Sequence, residues 1–177
     1  MEDFGATFLT TSRQYLTEDY FPRIASTVGG LAPEDLWWRP NPASNAIGNL
    51  LLHLAGNARQ WIVSGVGGRL DIRNRQAEFD ARIGDPAPAL LTHLNEVLLD
   101  VDDTLEEFPP DRLGERRTIQ GQDVTVFEAI YHVVEHFAMH TGQIQYIAKL
   151  RTGRDLGHYM VVDGIATPQW TRGKIRE

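Results

Sequence analysis

The sequence predicts an all-α fold, a single bundle of four helices. Four segments carry apolar residues at helical spacing, and signals for β-strands are few. The chain has 177 residues, of which 42% are hydrophobic. That length suits one domain with its own core and is short for two, so we expect a single domain over residues 1–177.

The first helix is expected from about Asp3 to Val28. Pro22 lies inside this segment and should kink or restart the helix, because proline lacks a backbone N–H. Two glycines then end it, and one short helical turn is expected at residues 33–36, since proline suits a first helical position. The apolar residues that recur at roughly helical intervals are Phe4, Phe8, Tyr15, Leu16 and Ile24.

The second helix is expected to begin near Ser44 or Asn45, both favourable N-cap residues, and to continue to about Val66. Residues 69–86 are charged and limited by proline, so they predict a connection of uncertain structure. The third helix is expected over residues 88–108, where two prolines close it. Its apolar stripe consists of Leu91, Leu94, Leu98, Val101 and Leu105.

The remaining chain predicts one long helix and little sheet. Residues 115–125 give a weak signal for a small β-ribbon that turns near Gly121, and no other sheet is expected. The fourth helix begins with a capping box, Thr125 and Glu128, and runs to about Arg151. The last 24 residues lack a clear period. They carry enough apolar side chains that we expect this tail to pack on the bundle.

Charge and composition exclude several classes of function. The chain has 24 acidic and 17 basic residues, a net charge of −7, which is a poor electrostatic match for nucleic acid. It has no cysteine, which excludes a structural disulfide, a thiolate metal site and a cysteine nucleophile. The first residues are acidic where a signal peptide would be basic, and no window reaches the ~18 apolar residues of a membrane span. We expect a cytoplasmic protein with neither a membrane nor nucleic acid as partner.

Three histidines of the fourth helix, His132, His136 and His140, follow one another at intervals of four residues. Each interval drifts by only about 40° around a helix, so the three imidazoles share one face. We expect that face to be buried, and its other residues are Ala129, Val133, Met139, Gln143, Ile147 and Leu150. A buried polar ring without a partner costs roughly 1–3 kcal/mol, so these rings need partners.

Two histidines one turn apart can hold a metal ion through neutral ring nitrogens, and a third ligand must then come from another helix. His53 is the candidate in the second helix. The face that it occupies is mostly uncharged and polar, which predicts a wet pocket more than a packed core. That face also carries Ala46, Asn49, Asn57, Gln60 and Ser64.

Plainer interpretations of these histidines stay open on the pattern alone. An inward histidine such as His53 is more often a core residue satisfied by hydrogen bonds than a metal ligand. Pairs one turn apart also occur by chance on helix surfaces, and the spacing does not choose among the three possible pairs in the fourth helix. His93 in the third helix and His158 in the tail are expected to be ordinary residues.

Two strings around these histidines carry a resemblance to a known family. The first, from Ser44 to Asn57, is Ser-Asn-Ala-Ile-Gly-Asn-Leu-Leu-Leu-His-Leu-Ala-Gly-Asn. The second, from Glu135 to Ile144, is Glu-His-Phe-Ala-Met-His-Thr-Gly-Gln-Ile. They resemble the second helix and the fourth-helix motif, His-x-x-x-His-x-Gly-Gln, of the DinB-like superfamily. With the Trp-Trp-Arg-Pro string at residues 37–40, the likeness covers most of residues 10–150.

The resemblance implies a bundle in the up-down-down-up arrangement, often dimeric, and we expect a homodimer. It also implies a metal ion held by His53, His136 and His140. His132 matches no ligand position of the family, so we expect it to support the site or the fold. Zinc and nickel are the favoured ions because imidazole suits them, with iron or manganese as alternatives.

Three neutral ligands leave at least one position on the ion open, as in catalytic zinc sites, where bound water loses its proton near neutral pH. Related DinB-like enzymes use low-molecular-weight thiols, so the resemblance implies a metal-dependent S-transferase with a thiol cosubstrate and a small-molecule substrate. The metal would hold the thiol as thiolate. Asn49, Asn57 and Gln143 are candidates for orienting it. The alternatives are a metal-dependent hydrolase that uses metal-bound hydroxide, and a non-enzymatic metal-binding stress protein.

Overall fold

The structure, a computed structural model, describes residues 3–170. Helices account for 63% of them, which confirms the prediction of a mostly helical chain. Within this range four helical segments are long, and they enclose one apolar core. The largest fully buried side chains of that core include Leu16, Ile24, Leu50, Leu54, Leu94, Leu98 and Phe137.

The first long segment consists of helix α1 (Phe4–Gln14), a π-helical stretch (Tyr15–Tyr20) and helix α2 (Phe21–Val28). Asp3 caps its start, because the Asp3 carboxylate accepts hydrogen bonds from the first backbone N–H groups. The expected interruption at Pro22 takes the form of the wider π-helical turn directly before it. A proline removes one hydrogen bond from the helical ladder, and a local change of helical winding accommodates that loss.

After the short helix α3 (Pro33–Leu36), the second long segment consists of helix α4 (Ile47–Ala58) and a second π-helical stretch (Arg59–Val66). Its N-cap is Ala46, so the expected start at Ser44 or Asn45 is wrong by one or two residues. The Asn49 side chain supplies only the reciprocal bond of a capping box, since its Oδ1 accepts from the Ala46 backbone N–H at 3.0 Å.

A crossover segment, residues 67–86, connects the second long segment to the third, and it contains the short helix α5 (Arg75–Asp80). The third long segment is helix α6 (Ala87–Glu107). Residues later in the second segment contact residues later in α6. Arg59 pairs with Asp100 at 3.1 Å, and further along Gly67 lies against Thr104.

The predicted ribbon is confirmed as an antiparallel hairpin, β1 (Arg116–Ile119) and β2 (Gln122–Thr125). Helix α7 (Val126–Thr152) follows at once and is the fourth long segment. Its capping box is also confirmed: Glu128 N donates to Thr125 Oγ1 at 3.1 Å, and Thr125 N donates to the Glu128 carboxylate at 2.7 Å. Gly153, with φ of 66°, ends the helix.

A second hairpin, β3 (Tyr159–Val162) and β4 (Ile165–Pro168), lies in the C-terminal region, so the expectation of no further sheet is wrong. An Asp163-Gly164 turn with positive φ at both residues joins the strands, which is a common sequence signal for a two-residue hairpin. The strand residues are exposed. At the residues that flank the hairpin, His158 Nε2 lies 3.1 Å from Ser26 Oγ, and Trp170 is buried. None of the helices in residues 3–170 is long and apolar enough to cross a membrane.

Candidate metal centre

Helices α4 and α7 bring three histidines together in the core. Residues later in α4 contact residues earlier in α7. Asn57 faces His132, whereas His53 faces His136 and His140. One ring nitrogen of each of His53, His136 and His140 lies within 4.8 Å of the others. The closest pair is His53 Nε2 and His136 Nε2, at 2.9 Å. These are the three histidines that the sequence singles out.

The environment of His136 and His140 favours the neutral form of both rings. Burial, together with the neighbouring imidazoles, lowers the pKa of His136 to about 3. Burial also lowers the pKa of His140, although the hydrogen bond to Gln143 opposes it. A neutral imidazole has a free lone pair, which is the form that binds metal ions.

His140 supplies the observation that tests whether a metal ion fits. Its Nδ1 lies 2.7 Å from Gln143 Oε1, an oxygen that only accepts, so Nδ1 carries the ring proton. Its Nε2 is buried and has no hydrogen-bond partner among the described residues. A buried ring nitrogen left unsatisfied costs about 1–3 kcal/mol. A cation shared with the two adjacent imidazoles would remove that cost, so the residues present fit a divalent ion.

The back of the His53 ring contacts a carboxylate that the sequence analysis missed. His53 Nδ1 lies 2.8 Å from Glu78 Oε2, and both side chains are buried. Arg73 donates to both oxygens of the same carboxylate, at 2.7 and 2.8 Å. Burial raises the pKa of Glu78, but the hydrogen bonds from Arg73 and His53 outweigh burial and leave that pKa below its ordinary value. Glu78 is therefore ionised at neutral pH.

The signal for Glu78 in the sequence was indirect. Glu78 belongs to helix α5, within the charged connection for which no structure was predicted. The hint was Gly56, a helix-breaking residue in the middle of α4. A Cβ at Gly56 would collide with Glu78 Oε1. The absence of a side chain at Gly56 therefore leaves the space that the carboxylate occupies.

His132 lies one turn before the pair on α7 but has different partners. Asn57 Nδ2 lies 3.2 Å from its Nε2, and the ring packs on Trp61 with 4.2 Å between ring centroids. Burial lowers its pKa as well. The nitrogen that could reach a metal ion is thus already engaged by the Asn57 amide.

The three polar residues proposed to orient a ligand occupy different environments. Asn49 is fully buried, and its side-chain amide has a partner at both ends. Its Oδ1 accepts from Ala46 and Arg39, while its Nδ2 donates to the carbonyl oxygens of Glu78 and Ala81.

Asn57 is buried against His132. Gln143 is exposed and borders a pocket of about 370 Å³. The polar face of the second helix is therefore a hydrogen-bonded seam at Asn49 and Asn57, where the sequence predicted a wet pocket.

Comparison with known proteins places this geometry in context. No curated protein matches the chain. A conserved protein from Enterococcus faecalis is similar in structure, with a TM-score of 0.69, 15% identity, and 82% of this chain and 97% of that chain covered. A DinB-like protein from Bacillus cereus is also similar, with a TM-score of 0.59, 17% identity, and coverage of 85% and 89%. At these identities the likeness shows the fold alone.

A family model described as "Protein of unknown function (DUF1572)" matches residues 3–164, which include all three clustered histidines and Glu78. The match covers most of the chain. The chain therefore belongs to the DUF1572 family.

Proposed function

We propose that this protein binds one divalent metal ion through His53, His136 and His140 and is a metal-dependent enzyme. The observation that carries the proposal is the buried, unpaired Nε2 of His140 beside two further imidazoles. When bound, such an ion supplies Lewis-acid chemistry, including a lower pKa for a thiol or water that reaches it. Zinc and nickel suit three imidazoles, with iron or manganese as alternatives.

The reaction that we propose is the transfer of a low-molecular-weight thiol to an electrophilic small molecule. The chain has no cysteine, so the sulfur nucleophile must come from a cosubstrate. The thiol loses its proton to solvent water, its sulfur forms a bond to the electrophilic carbon, and the bond from that carbon to the displaced group breaks, so that this group leaves with the bonding electrons. Gln143 supports this proposal, since it contacts His140 and also borders the pocket that Leu50 and Tyr146 line.

We also infer the up-down-down-up order of the four long segments and a homodimer. The matching direction of the contacts between α6 and the second segment supports that order, as does the opposite direction between α4 and α7. The homodimer is supported by exposed apolar side chains on α7, namely Tyr131, Met139, Tyr146 and Leu150. Light scattering at micromolar concentration should give twice the 19.9 kDa chain mass. A monomer alone would contradict the dimer.

The test of the metal site is metal analysis of the purified protein after loading with zinc, nickel, iron or manganese in turn. We expect one equivalent of at least one ion in the wild-type protein and none in a His140→Ala variant. A folded wild-type protein that retains none of these ions would refute the site.

The test of the reaction is a screen of the metal-loaded protein with thiol cosubstrates and electrophiles. Turnover that requires both the thiol and the metal supports the transferase. Turnover without thiol would instead indicate a hydrolase, and persistent inactivity of fully loaded protein would indicate a metal-binding protein without catalysis.

A further inference from the structure

The crossover segment places one buried carboxylate against the back of a proposed metal ligand. Glu78 Oε2 lies 2.8 Å from His53 Nδ1, while the opposite nitrogen of the same ring, Nε2, faces His136 at 2.9 Å. The ring is therefore held at one edge and directed toward the histidine cluster at the other. Glu78 has no part in the cluster of ligand atoms itself.

We propose that Glu78 is the positioning residue of the metal centre. Glu78 accepts a hydrogen bond from the Nδ1–H of His53. This bond keeps Nε2 unprotonated and holds the ring in the orientation that directs Nε2 toward the ion. This inference rests on the proposed function. Hydrogen bonds of this kind commonly fix the orientation of metal-binding histidines and raise the basicity of the ligating nitrogen.

The surrounding charges select this tautomer over its rival. Arg73 Nη2 also lies 3.1 Å from His53 Nδ1, and it could donate to that nitrogen if the proton sat on Nε2. In that case, however, Glu78 Oε2, which already accepts from Arg73, would face a bare ring nitrogen at 2.8 Å, lone pair against lone pair. A proton on Nδ1 turns the shorter contact into a charge-assisted hydrogen bond.

Three further contacts hold Glu78 in place from independent directions. Arg73 binds both of its carboxylate oxygens, and Gln60 accepts from the Arg73 guanidinium at 2.9 Å. Asn49 donates to the Glu78 backbone carbonyl at 2.8 Å. Gly56 leaves the space beside Oε1 that any larger residue would fill. With this support the carboxylate is as fixed as the ring that it orients.

The two supporting acceptors of the cluster differ in charge. Gln143 offers His140 a neutral amide oxygen from an exposed position, whereas Glu78 offers His53 a buried anion. Hydrogen bonds to an ionised acceptor are roughly twice as strong as neutral ones. The loss of Glu78 should therefore weaken metal binding more than the loss of Gln143.

The experiment measures the affinity for Zn²⁺, by competition with a chelator, in wild-type protein and in matched variants. Replacing Glu78 by Leu together with Arg73 by Met removes the acceptor without leaving an unpaired buried charge, and should weaken binding roughly 10–100-fold. Glu78→Gln keeps an acceptor but loses its charge, so a smaller loss is expected. Gly56→Ala should also weaken binding, although alanine favours a helix more than glycine does.

Asp100→Asn is the control. Asp100 pairs with Arg59 and Arg69 beside the same helices but has no contact with the histidines. Its affinity for Zn²⁺ should equal that of the wild type. A loss in this variant as large as in the Glu78 variants would assign the effect to general stability and overturn the proposal.

A second measurement works on metal-free wild-type protein and involves no variant. The ¹⁵N chemical shifts of the His53 ring report which nitrogen carries the proton, and we expect Nδ1. A proton on Nε2 would overturn the proposal even if every variant failed to fold. If wild-type protein binds no Zn²⁺, the proposed function fails for that ion. If it binds Zn²⁺ and the folded Glu78 variants bind equally well, only the role of Glu78 fails.

Discussion

Two neighbouring parts of the histidine face on α7 differ in what lies across from them. His136 and His140 face His53, and the ring nitrogens of the three converge. His132, one turn earlier, faces Asn57 and Trp61 instead, and its Nε2 lies 3.2 Å from the Asn57 amide. His132, His136 and His140 share one helix and one spacing, and burial lowers the pKa of each. The residue that faces each histidine from the opposite helix decides whether that histidine is a proposed ligand or a supporting side chain.

This difference shows where the chemistry of such a site is specified. A helix with histidines at intervals of four residues offers several equivalent pairs, and its own sequence does not rank them. The second helix distinguishes the possible pairs, because it places an imidazole at His53 and an amide one turn further on at Asn57. An amide engages the ring nitrogen of His132 with a hydrogen bond, whereas an imidazole provides another ligand.

The largest effect is expected from His140→Ala or His136→Ala. Each removes one of two proposed ligands on the same helix, and no other histidine of α7 belongs to the cluster that could replace it. The affinity for Zn²⁺ should fall by more than the roughly 100-fold that loss of a supporting group costs. Metal content of the purified variants checks this, with His93→Ala as a control in which an exposed histidine of α6 is lost. Retention of one equivalent in either variant would remove that residue from the site.

A nearly equal effect is expected from His53→Ala, because it removes the only ligand that we propose α4 contributes. The remaining pair on α7 can still bind an ion weakly, so some metal should be recovered at high metal concentration but not after dialysis. Titration calorimetry with Zn²⁺ distinguishes the two cases. Binding as tight as in the wild type would place the third ligand elsewhere.

A smaller effect of a different kind is expected from His132→Ala. The variant should keep one equivalent of metal, because this ring is not part of the cluster. It should lose stability, since the buried Asn57 amide loses its acceptor, which costs about 1–3 kcal/mol. Metal analysis and thermal unfolding of the same sample measure both outcomes. A metal-free His132→Ala beside a metal-bound His140→Ala would make His132 and His136 the true pair.

The smallest effect concerns His158, a buried histidine that is not part of the cluster. Burial lowers its pKa in the folded protein, while the nearby Ser26 hydroxyl lies 3.1 Å from its Nε2. A depressed folded pKa means that stability is complete above the ordinary value of about 6.5 and is lost as the pH falls below it. Backbone NMR relaxation of residues 159–168 should therefore show a looser hairpin at pH 5 than at pH 7.5. A His158→Gln variant should lack this pH dependence, and an equal change in that variant would assign it to another group.

Local signals account for the parts of the fold that were predicted well. The capping box at Thr125 and Glu128, the ribbon that turns at Gly121 and the interruption before Pro22 each depend on a few adjacent residues. The start of the second helix was predicted one or two residues early because the N-cap residue is Ala46, and neither Ser44 nor Asn45 caps the helix. The hairpin at residues 159–168 was missed although its Asp163-Gly164 turn was visible, because no period marked the short strands beside it.

The sequence by itself determined the helical class, the shared face of the histidines on the fourth helix and, through the family motif, the candidate set of His53, His136 and His140. Burial of that whole face was predicted wrongly, because Met139, Gln143 and Leu150 are exposed. Helical periodicity and a family motif are properties of neighbouring residues, so they can be recognised without a structure. Only the tertiary structure decided that His132 belongs to Asn57 and that Glu78 belongs to His53. Those pairings join residues 25 or more positions apart. They depend on how helices pack and where the crossover segment lies, which no local pattern encodes.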